Sequence, residues 1–170
     1  LDMTRISTGT LKAKLDWVDV ADVVRSAVAR ARRYFPAQPF ETGIAADLPL
    51  LRGDSVLLEQ VLFNLIDNAA KYGGGDVVNV YARRDGRELV LSVTDLGKGI
   101  PAGELDRIFE KFYREDAARS ADAGTGGVGN SGLGLFIART VVRRHGGEIA
   151  ARNRPEGGAS VSFSVAELED

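Results

Sequence analysis

Cysteine is absent from the 170-residue sequence, and histidine occurs once, as His145. Disulfide bonds, thiolate metal ligands and thiol nucleophiles are therefore excluded, as is a metal site built from several histidines. No apolar run approaches the roughly 20 residues of a membrane-spanning helix. Charges within residues 1–5 argue against a signal peptide, so we expect a reducing, cytoplasmic setting. Because the first residue is not methionine, we also expect a longer parent protein.

A strong charge of either sign is missing as well. Lysine and arginine together number 22, aspartate and glutamate 24, and the net charge is −2. This balance argues against nucleic-acid binding and against a basic membrane patch. The length suits one domain with a short tail. Residues 7–10 interrupt a loosely helical start, so we expect residues 1–15 to be the end of an upstream helix.

Hydrophobic periodicity predicts helices separated by short paired strands. Asp19 and Asp54 are good N-caps for two helices, the second covering residues 54–72, and a third is expected over residues 132–145. The expected strands are 17–18, 40–44 at a sheet edge, 77–83, 88–95, 148–153 and 159–165. A loop is expected over residues 49–54 and a short helix and turn over residues 101–112. This order favours an α/β sandwich with helices on one face of a sheet.

The first candidate site lies on the 54–72 helix. Asn64, Asn68 and Lys71 are spaced at i, i+4 and i+7, so they share one helix face. Isolated asparagines usually mark a solvated face. Two of them one turn apart, followed by a lysine, favour a ligand site, since amide oxygens bind hard cations and ammonium groups bind phosphate.

A carboxylate follows the strand expected over residues 88–95. Asp95 has the parity of the apolar residues before it, so it points to the apolar side if the strand continues. A buried carboxylate needs a hydrogen-bond donor. That donor is either a backbone amide of the next turn or an amino group of a ligand. Gly97 and Gly99 then permit close approach of a flat group.

Residues 117–131 form a glycine-rich stretch without periodicity that ends at the start of the third expected helix. A loop of this length is usually functional or disordered. Free amides at a helix N-terminus favour anions. Gly124, Gly126 and Gly129 match G-x-G-x-x-G, but no strand precedes them, which disfavours a dinucleotide fold. The P-loop pattern is absent.

These features together describe a nucleotide site, and four segments resemble the motifs of bacterial sensor histidine kinases. The N box corresponds to EQVLFNLIDNAAKY at 59–72 and the first glycine box to DLGKG at 95–99. The F box corresponds to IFEKFYR at 108–114 and the second glycine box to GLGL at 132–135. Because all four occur in the family's order, the chain resembles the ATP-binding catalytic domain of these kinases.

The resemblance implies a Bergerat-type two-layer sandwich, with a mixed or antiparallel sheet covered on one face by about three helices. It also implies that residues 16–168 are the catalytic domain and residues 1–15 the remnant of the dimerisation and phosphotransfer helix and linker. Shorter stretches at 1–6, 17–19 and 153–159 resemble the Kdp-type potassium sensor kinases. A response to potassium or osmotic stress is therefore expected.

Residue roles follow from the same resemblance. Asp95 would bind the adenine amino group and Asn68 would ligate Mg²⁺. Asn64 would support the metal and phosphates and Lys71 would contact phosphate, and these two are the expected catalytic residues. The further expected nucleotide contacts are Tyr72 near the base, Gly97 and Gly99 in the pocket wall, Phe109 and Phe112 at the lid base, Gly132 and Gly134 at the lid hinge, and, without a more specific role, Ile100, Ser131, Leu133 and Leu135. Asn130 replaces the usual first glycine of the second box, and asparagine tolerates a left-handed backbone.

The implied reaction transfers the γ-phosphoryl group of Mg-ATP to a histidine of the dimerisation domain. His145 precedes two glycines at a helix end, where an imidazole usually satisfies terminal carbonyls, so it is not the expected acceptor. We expect this fragment to bind ATP, to lack self-phosphorylation and to be monomeric. The parent is expected to be a homodimer at the cytoplasmic side of the bacterial inner membrane, with a response regulator as partner.

Three alternatives remain open. ATP-hydrolysing relatives of the chaperone or mismatch-repair type have a glutamate where this chain has Asn64, which cannot act as a base. An anti-sigma serine kinase shares the fold but matches the F box less well. An interaction module with a degenerate nucleotide site is the third alternative, and it would bind a partner without binding nucleotide.

Overall fold

The computed structural model describes residues 14–111 and 134–166. The helices in these ranges are α1 (Val20–Tyr34), α2 (Ser55–Tyr72) and α3 (Gly134–Arg144). The strands are β1 (Asp16–Val18), β2 (Phe40–Ile44), β3 (Leu51–Gly53), β4 (Val78–Asp85), β5 (Glu88–Thr94), β6 (Ile149–Asn153) and β7 (Ala159–Ala166). Two short 3-10 turns, Ala102–Glu104 and Arg107–Phe109, follow β5. Among the described residues, no helix has the length and apolar character needed to cross a membrane.

Five strands form one mixed sheet in the order β2-β4-β5-β7-β6. Strand β2 runs parallel to β4, whereas all other neighbours are antiparallel. The predicted edge position of β2 is confirmed. Strands β1 and β3 form a separate antiparallel pair, in which Trp17 lies opposite Arg52. The loop predicted over residues 49–54 is wrong because Leu51–Gly53 forms β3. Its pattern of two buried residues around one exposed residue is too short to be recognised without its distant partner.

The three helices cover one face of this sheet. Burial alternates along β4 and β5, so only one face of each strand contacts the core. Helix α2 packs against α1, α3 and the sheet. Its buried residues are Leu57, Leu58, Val61, Leu62, Phe63, Leu65, Ile66, Asp67 and Ala69. The predicted two-layer sandwich is therefore confirmed, with α2 as its central helix.

Aspartate caps fix the start of two helices, as the sequence predicts. The Asp54 Oδ1 atom accepts hydrogen bonds from the amides of Val56 and Leu57, both at 3.1 Å, while its Oδ2 atom accepts from the Lys14 amide at 2.8 Å. Three donors compensate for the burial of this carboxylate. Asp19 caps α1 in the same way, accepting from an amide at 2.9 Å.

His145 joins the end of α3 to the start of α2. Its Nδ1 atom lies 2.9 Å from the Val141 carbonyl, and its Nε2 atom accepts a hydrogen bond from the Asp54 amide at 3.0 Å. Since a carbonyl only accepts and an amide only donates, the ring is neutral with its proton on Nδ1. The expected contact with a terminal carbonyl is confirmed, and the bridge to Asp54 adds a second role.

Replacing His145 with leucine should lower the free energy of unfolding by about 2 kcal/mol, because the Asp54 amide loses its acceptor. Urea unfolding measures the change. The matched control is Glu41→Gln on the exposed side of β2. Equal stability of His145→Leu and the control would contradict a bridging role for the imidazole.

Candidate functional site

The predicted polar face of α2 contains Asn64, Asn68 and Lys71, and all three are half-buried. The Asn68 side chain makes no hydrogen bond to another residue within 14–111 and 134–166, although its backbone lies within the helix. A half-buried amide without a protein partner loses hydration unless water or a ligand satisfies it. Asn68 therefore provides a polar group suited to an external ligand.

Asn64 connects α2 to the first residue of α3. Its Nδ2 atom donates to the Gly134 carbonyl at 3.0 Å, and its Oδ1 atom accepts from Gln60 Nε2 at 2.7 Å. The structure thus brings together two predicted site residues that lie 70 positions apart in sequence. Gln60 was not predicted, although its spacing of one turn from Asn64 is visible in the sequence.

Lys71 pairs with a carboxylate that the sequence interpretation missed. The Lys71 Nζ atom lies 3.2 Å from Asp67 Oδ2, and their side chains are 17% and 10% exposed. Desolvation by burial raises the pKa of Asp67 from its ordinary value of 3.8, although the nearby charges of Lys71 and Arg30 oppose this rise. The i, i+4 spacing was the available signal for this pair.

Asp95 is half-buried directly after β5, which ends one residue earlier than predicted, at Thr94. Its Oδ1 atom accepts hydrogen bonds from the amides of Gly97 at 2.9 Å and Ala159 at 3.2 Å. One of the two expected donors, a backbone amide of the next turn, is therefore present. Oδ2 receives no hydrogen bond from the part of the chain that the structure describes, so it can accept from a ligand.

The first glycine segment packs against the C-terminal end of α2. A Cβ atom on Gly97 would lie 2.8 Å from the Tyr72 carbonyl oxygen and 2.9 Å from Gly73 atoms. Likewise, a Cβ atom on Gly73 would lie 2.9 Å from the Asp95 Cβ atom. Only glycine permits this close approach, which places the Asp95 carboxylate beside the end of α2.

The turn after Asp95 is held from its other side by the chain around the β6–β7 connection. The Ile100 amide donates to Asn153 Oδ1, and Asn153 Nδ2 donates to the Ile100 carbonyl, both at 2.7 Å. Arg154 Nη1 donates to the Asp95 carbonyl at 3.0 Å. Gly99 adopts φ +80°, a conformation that favours glycine. The support from Asn153 and Arg154 was not predicted, because it joins residues far apart in sequence.

The remaining predicted site residues differ in position. Tyr72 is 37% exposed at the end of α2, whereas Phe109 is buried in the core, in a turn that packs against α3. Ile100, Gly134 and Leu135 are half-buried. The residues that lie outside the described ranges are Phe112, Asn130, Ser131, Gly132 and Leu133, together with the loop predicted over residues 117–131.

The chain also matches a known protein family. Residues 53–169 match the family described as "Histidine kinase-, DNA gyrase B-, and HSP90-like ATPase". The chain belongs to this family. Among curated proteins, it is 39% identical over 160 residues to the sensor protein KdpD of Escherichia coli, covering 94% of this chain and 17% of that protein. It is 42% identical over 161 residues to the histidine-protein kinase AfsQ2 of Streptomyces coelicolor, covering 94% of this chain and 28% of that protein.

Solved structures agree with the sequence relatives. The mycobacterial sensor histidine kinase MprB is 28% identical with a TM-score of 0.75, and the match covers 92% of this chain and 99% of that chain. ShkA, solved in complex with AMPPNP, shares the fold at 24% identity and a TM-score of 0.80, covering 98% of this chain and 34% of that chain. The predicted resemblance to the ATP-binding domain of sensor histidine kinases is thus confirmed, as is the predicted fold. The chain spans less than a third of the length of the KdpD and AfsQ2 proteins.

The Asp67–Lys71 pair gives a pH-dependent prediction. Because burial raises the folded-state pKa of Asp67, its stabilising contribution is complete below the unfolded pKa and is lost as pH rises through the folded value. The stability of the unsubstituted chain relative to the Asp67→Asn variant should therefore fall between about pH 4 and the raised pKa. Urea unfolding across this range measures the difference.

An exposed aspartate provides the control for this experiment. Asp22 forms an i, i+3 pair with Arg25 on α1 and is 76% exposed, so Asp22→Asn should show little of this trend. A stability difference for Asp67→Asn that instead grows with pH would mean that attraction to Lys71 outweighs desolvation.

Proposed function

We propose that this chain binds Mg-ATP and donates the γ-phosphoryl group to a histidine of a dimerisation and phosphotransfer domain in the same sensor kinase. The main support for this proposal is the hydrogen bonding of the Asp95 carboxylate. Two backbone amides hold one carboxylate oxygen, while the other oxygen has no partner among the described residues. A fixed acceptor of this kind suits the amino group of adenine.

The position of α2 indicates how a nucleotide would be oriented in the proposed site. Asp95 lies beside Gly73 at the C-terminal end of the helix, whereas Asn64 and Gly134 meet two turns earlier. Asn64 and Gly73 are separated by about 13 Å along the helix axis, at about 1.5 Å per residue. With adenine at Asp95, the phosphates extend along α2 towards Asn68 and Asn64. Tyr72 then lies near the base, beside the glycine wall.

The residues of α2 fit a magnesium ion that arrives with the nucleotide. Magnesium takes oxygen ligands and is commonly held by one or two protein groups together with phosphates and water. Asn68 offers an amide oxygen without a partner among the described residues, and Asn64 Oδ1 retains one acceptor position. The bound metal would neutralise charge on the phosphates. Lys71 would leave or share its contact with Asp67 to reach them.

The phosphoacceptor is proposed to lie outside this chain. His145 is its only histidine, and both ring nitrogens are engaged, one by Val141 and the other by Asp54. We therefore propose that residues 1–15 lead from the dimerisation domain and that the parent kinase is a homodimer on the cytoplasmic side of the inner membrane. Its second partner would be a response regulator. The predicted roles of Phe112, Ser131, Gly132 and Leu133 in a lid stay a prediction, because these residues lie outside the described ranges.

Potassium or osmotic-stress sensing is the finer part of the proposal. The KdpD proteins of Escherichia coli and Clostridium acetobutylicum, at 39% and 33% identity, support it. AfsQ2 is similar to this chain at 42% identity, so the histidine kinase assignment has broader support than the Kdp-type assignment. A degenerate interaction module is less well supported, since the polar groups expected to contact a nucleotide are present.

Calorimetric titration with the non-hydrolysable analogue AMPPNP, with and without Mg²⁺, tests the proposal. Asp95→Asn should weaken binding by about 10- to 100-fold in both conditions, because a charged acceptor of the adenine amino group is lost. Asn68→Ala should weaken binding only when Mg²⁺ is present. Asp85→Asn, in the exposed β4–β5 hairpin, is the control and should bind like the parent chain. Lack of nucleotide binding by the folded, unsubstituted chain would instead favour the interaction module.

A further inference from the structure

Side-chain hydrogen bonds connect all three helices in one line. Arg30 Nη1 on α1 donates to Gln60 Oε1 at 2.9 Å, and Gln60 Nε2 donates to Asn64 Oδ1 at 2.7 Å on α2. Asn64 Nδ2 then donates to the carbonyl of Gly134, the first residue of α3, at 3.0 Å. We call these four residues the Arg30–Gly134 relay.

The two ends of the relay determine its direction. A guanidinium group can only donate, and a backbone carbonyl can only accept. Gln60 must therefore present its oxygen to Arg30 and its amino group to Asn64. Asn64 must present its oxygen to Gln60 and its amino group to Gly134. Turning either amide by 180° would oppose like groups at two contacts, so each amide has one satisfied orientation.

Packing fixes the donor end of the relay. The Arg30 guanidinium carbon lies 3.8 Å from the centroid of the Phe63 ring, within the range of a cation–π contact. Phe63 is buried and also contacts the ring of Tyr34, with centroids 5.5 Å apart. Because Arg30 is held against this ring, its orienting effect on Gln60 requires little further loss of side-chain freedom.

We infer that Gln60 is a positioning residue of the nucleotide site. It orients the Asn64 amide, which is proposed to support the metal, and through Asn64 it holds the start of α3. This inference rests on the proposed function. Gln60 itself contacts no nucleotide in this arrangement. It holds the Asn64 amide in a single orientation before a ligand arrives, so binding does not have to select that orientation from two. It also keeps the Gly134 carbonyl attached to α2, beside the proposed phosphate end.

A neighbouring hydrogen bond distinguishes this role from simple helix packing. Ser26 Oγ donates to Glu59 Oε1 at 2.8 Å, and this contact also joins α1 to α2. It is exposed to solvent, and among the described residues neither side chain hydrogen-bonds to Asn64 or Gly134. Glu59→Ala is therefore a matched control, since it removes an α1–α2 contact at the adjacent position without breaking the relay.

A double-mutant cycle on Mg-AMPPNP affinity tests the inference. Gln60→Ala should weaken binding by about 3- to 10-fold, and Asn64→Ala should weaken it at least as much. In the Asn64→Ala background, Gln60→Ala should change affinity by less than about twofold, because Gln60 acts through Asn64. Glu59→Ala should bind like the parent chain. Thermal unfolding of each variant identifies any loss of folding.

Gln60→Glu provides a second variant with nearly the same shape. Its carboxylate still accepts from Arg30 but cannot donate to Asn64, so the Asn64 amide should turn and lose its bond to Gly134. Binding should weaken at least as much as in Gln60→Ala, although the α1–α2 contact remains. The relative change in affinity and melting temperature separates positioning from packing.

The outcomes distinguish this inference from the proposed function. Parent-like binding by Gln60→Ala and Gln60→Glu, with weaker binding by Asn64→Ala, would overturn the inference and leave the proposed function standing. An equal effect of Gln60→Ala in both backgrounds would also overturn it, because Gln60 would then act by another route. Lack of binding by the folded, unsubstituted chain would overturn both the inference and the proposed function.

Discussion

Burial of α2 on three sides constrains the rest of the molecule. The helix contacts α1, α3 and the sheet. Full burial of one aliphatic side chain contributes about 1.5–3 kcal/mol to the free energy of folding. Such packing leaves only a narrow edge for polar groups, and Asn64, Asn68 and Lys71 occupy it. Each polar group on that edge then needs a partner, which explains the hydrogen bonds of Asn64 and the ion pair of Lys71. The α2 side of the candidate site is thus the part of the helix that the core leaves uncovered.

The ends of α2 are fixed by different means, and both bear on the site. At the N-terminus, Asp54 caps the helix and its own amide bonds to His145, which ties the end of α3 to the start of α2. At the C-terminus, Gly73 and Gly97 pack so closely that the Asp95 carboxylate lies beside the helix end. The separation between Asp95 and the α2–α3 contact is therefore set by helix length. A rigid distance of this kind is what a site for an extended nucleotide requires.

Much of the fold could be predicted because its signals are local. The apolar stripe of α2, the caps at Asp19 and Asp54 and the β4–β5 hairpin all follow from residues within a few positions of each other. Strand β3 could not be predicted, because three residues show no period and their partner is β1. The relay from Arg30 to Gln60 and the support of Ile100 by Asn153 also escaped prediction, since a sequence does not reveal which polar side chains meet across 30 or 53 positions.

The most direct measurement compares the Mg²⁺ complexes of AMPPNP and its inosine counterpart, which has an oxygen in place of the adenine amino group. If the free Asp95 oxygen accepts from that amino group, the inosine analogue places an acceptor against an acceptor. Its affinity should then be lower by at least about 100-fold, as for sites that hydrogen-bond a specific donor. Calorimetry on the folded parent chain measures both affinities. Equal affinity for the two analogues would contradict an adenine site at Asp95.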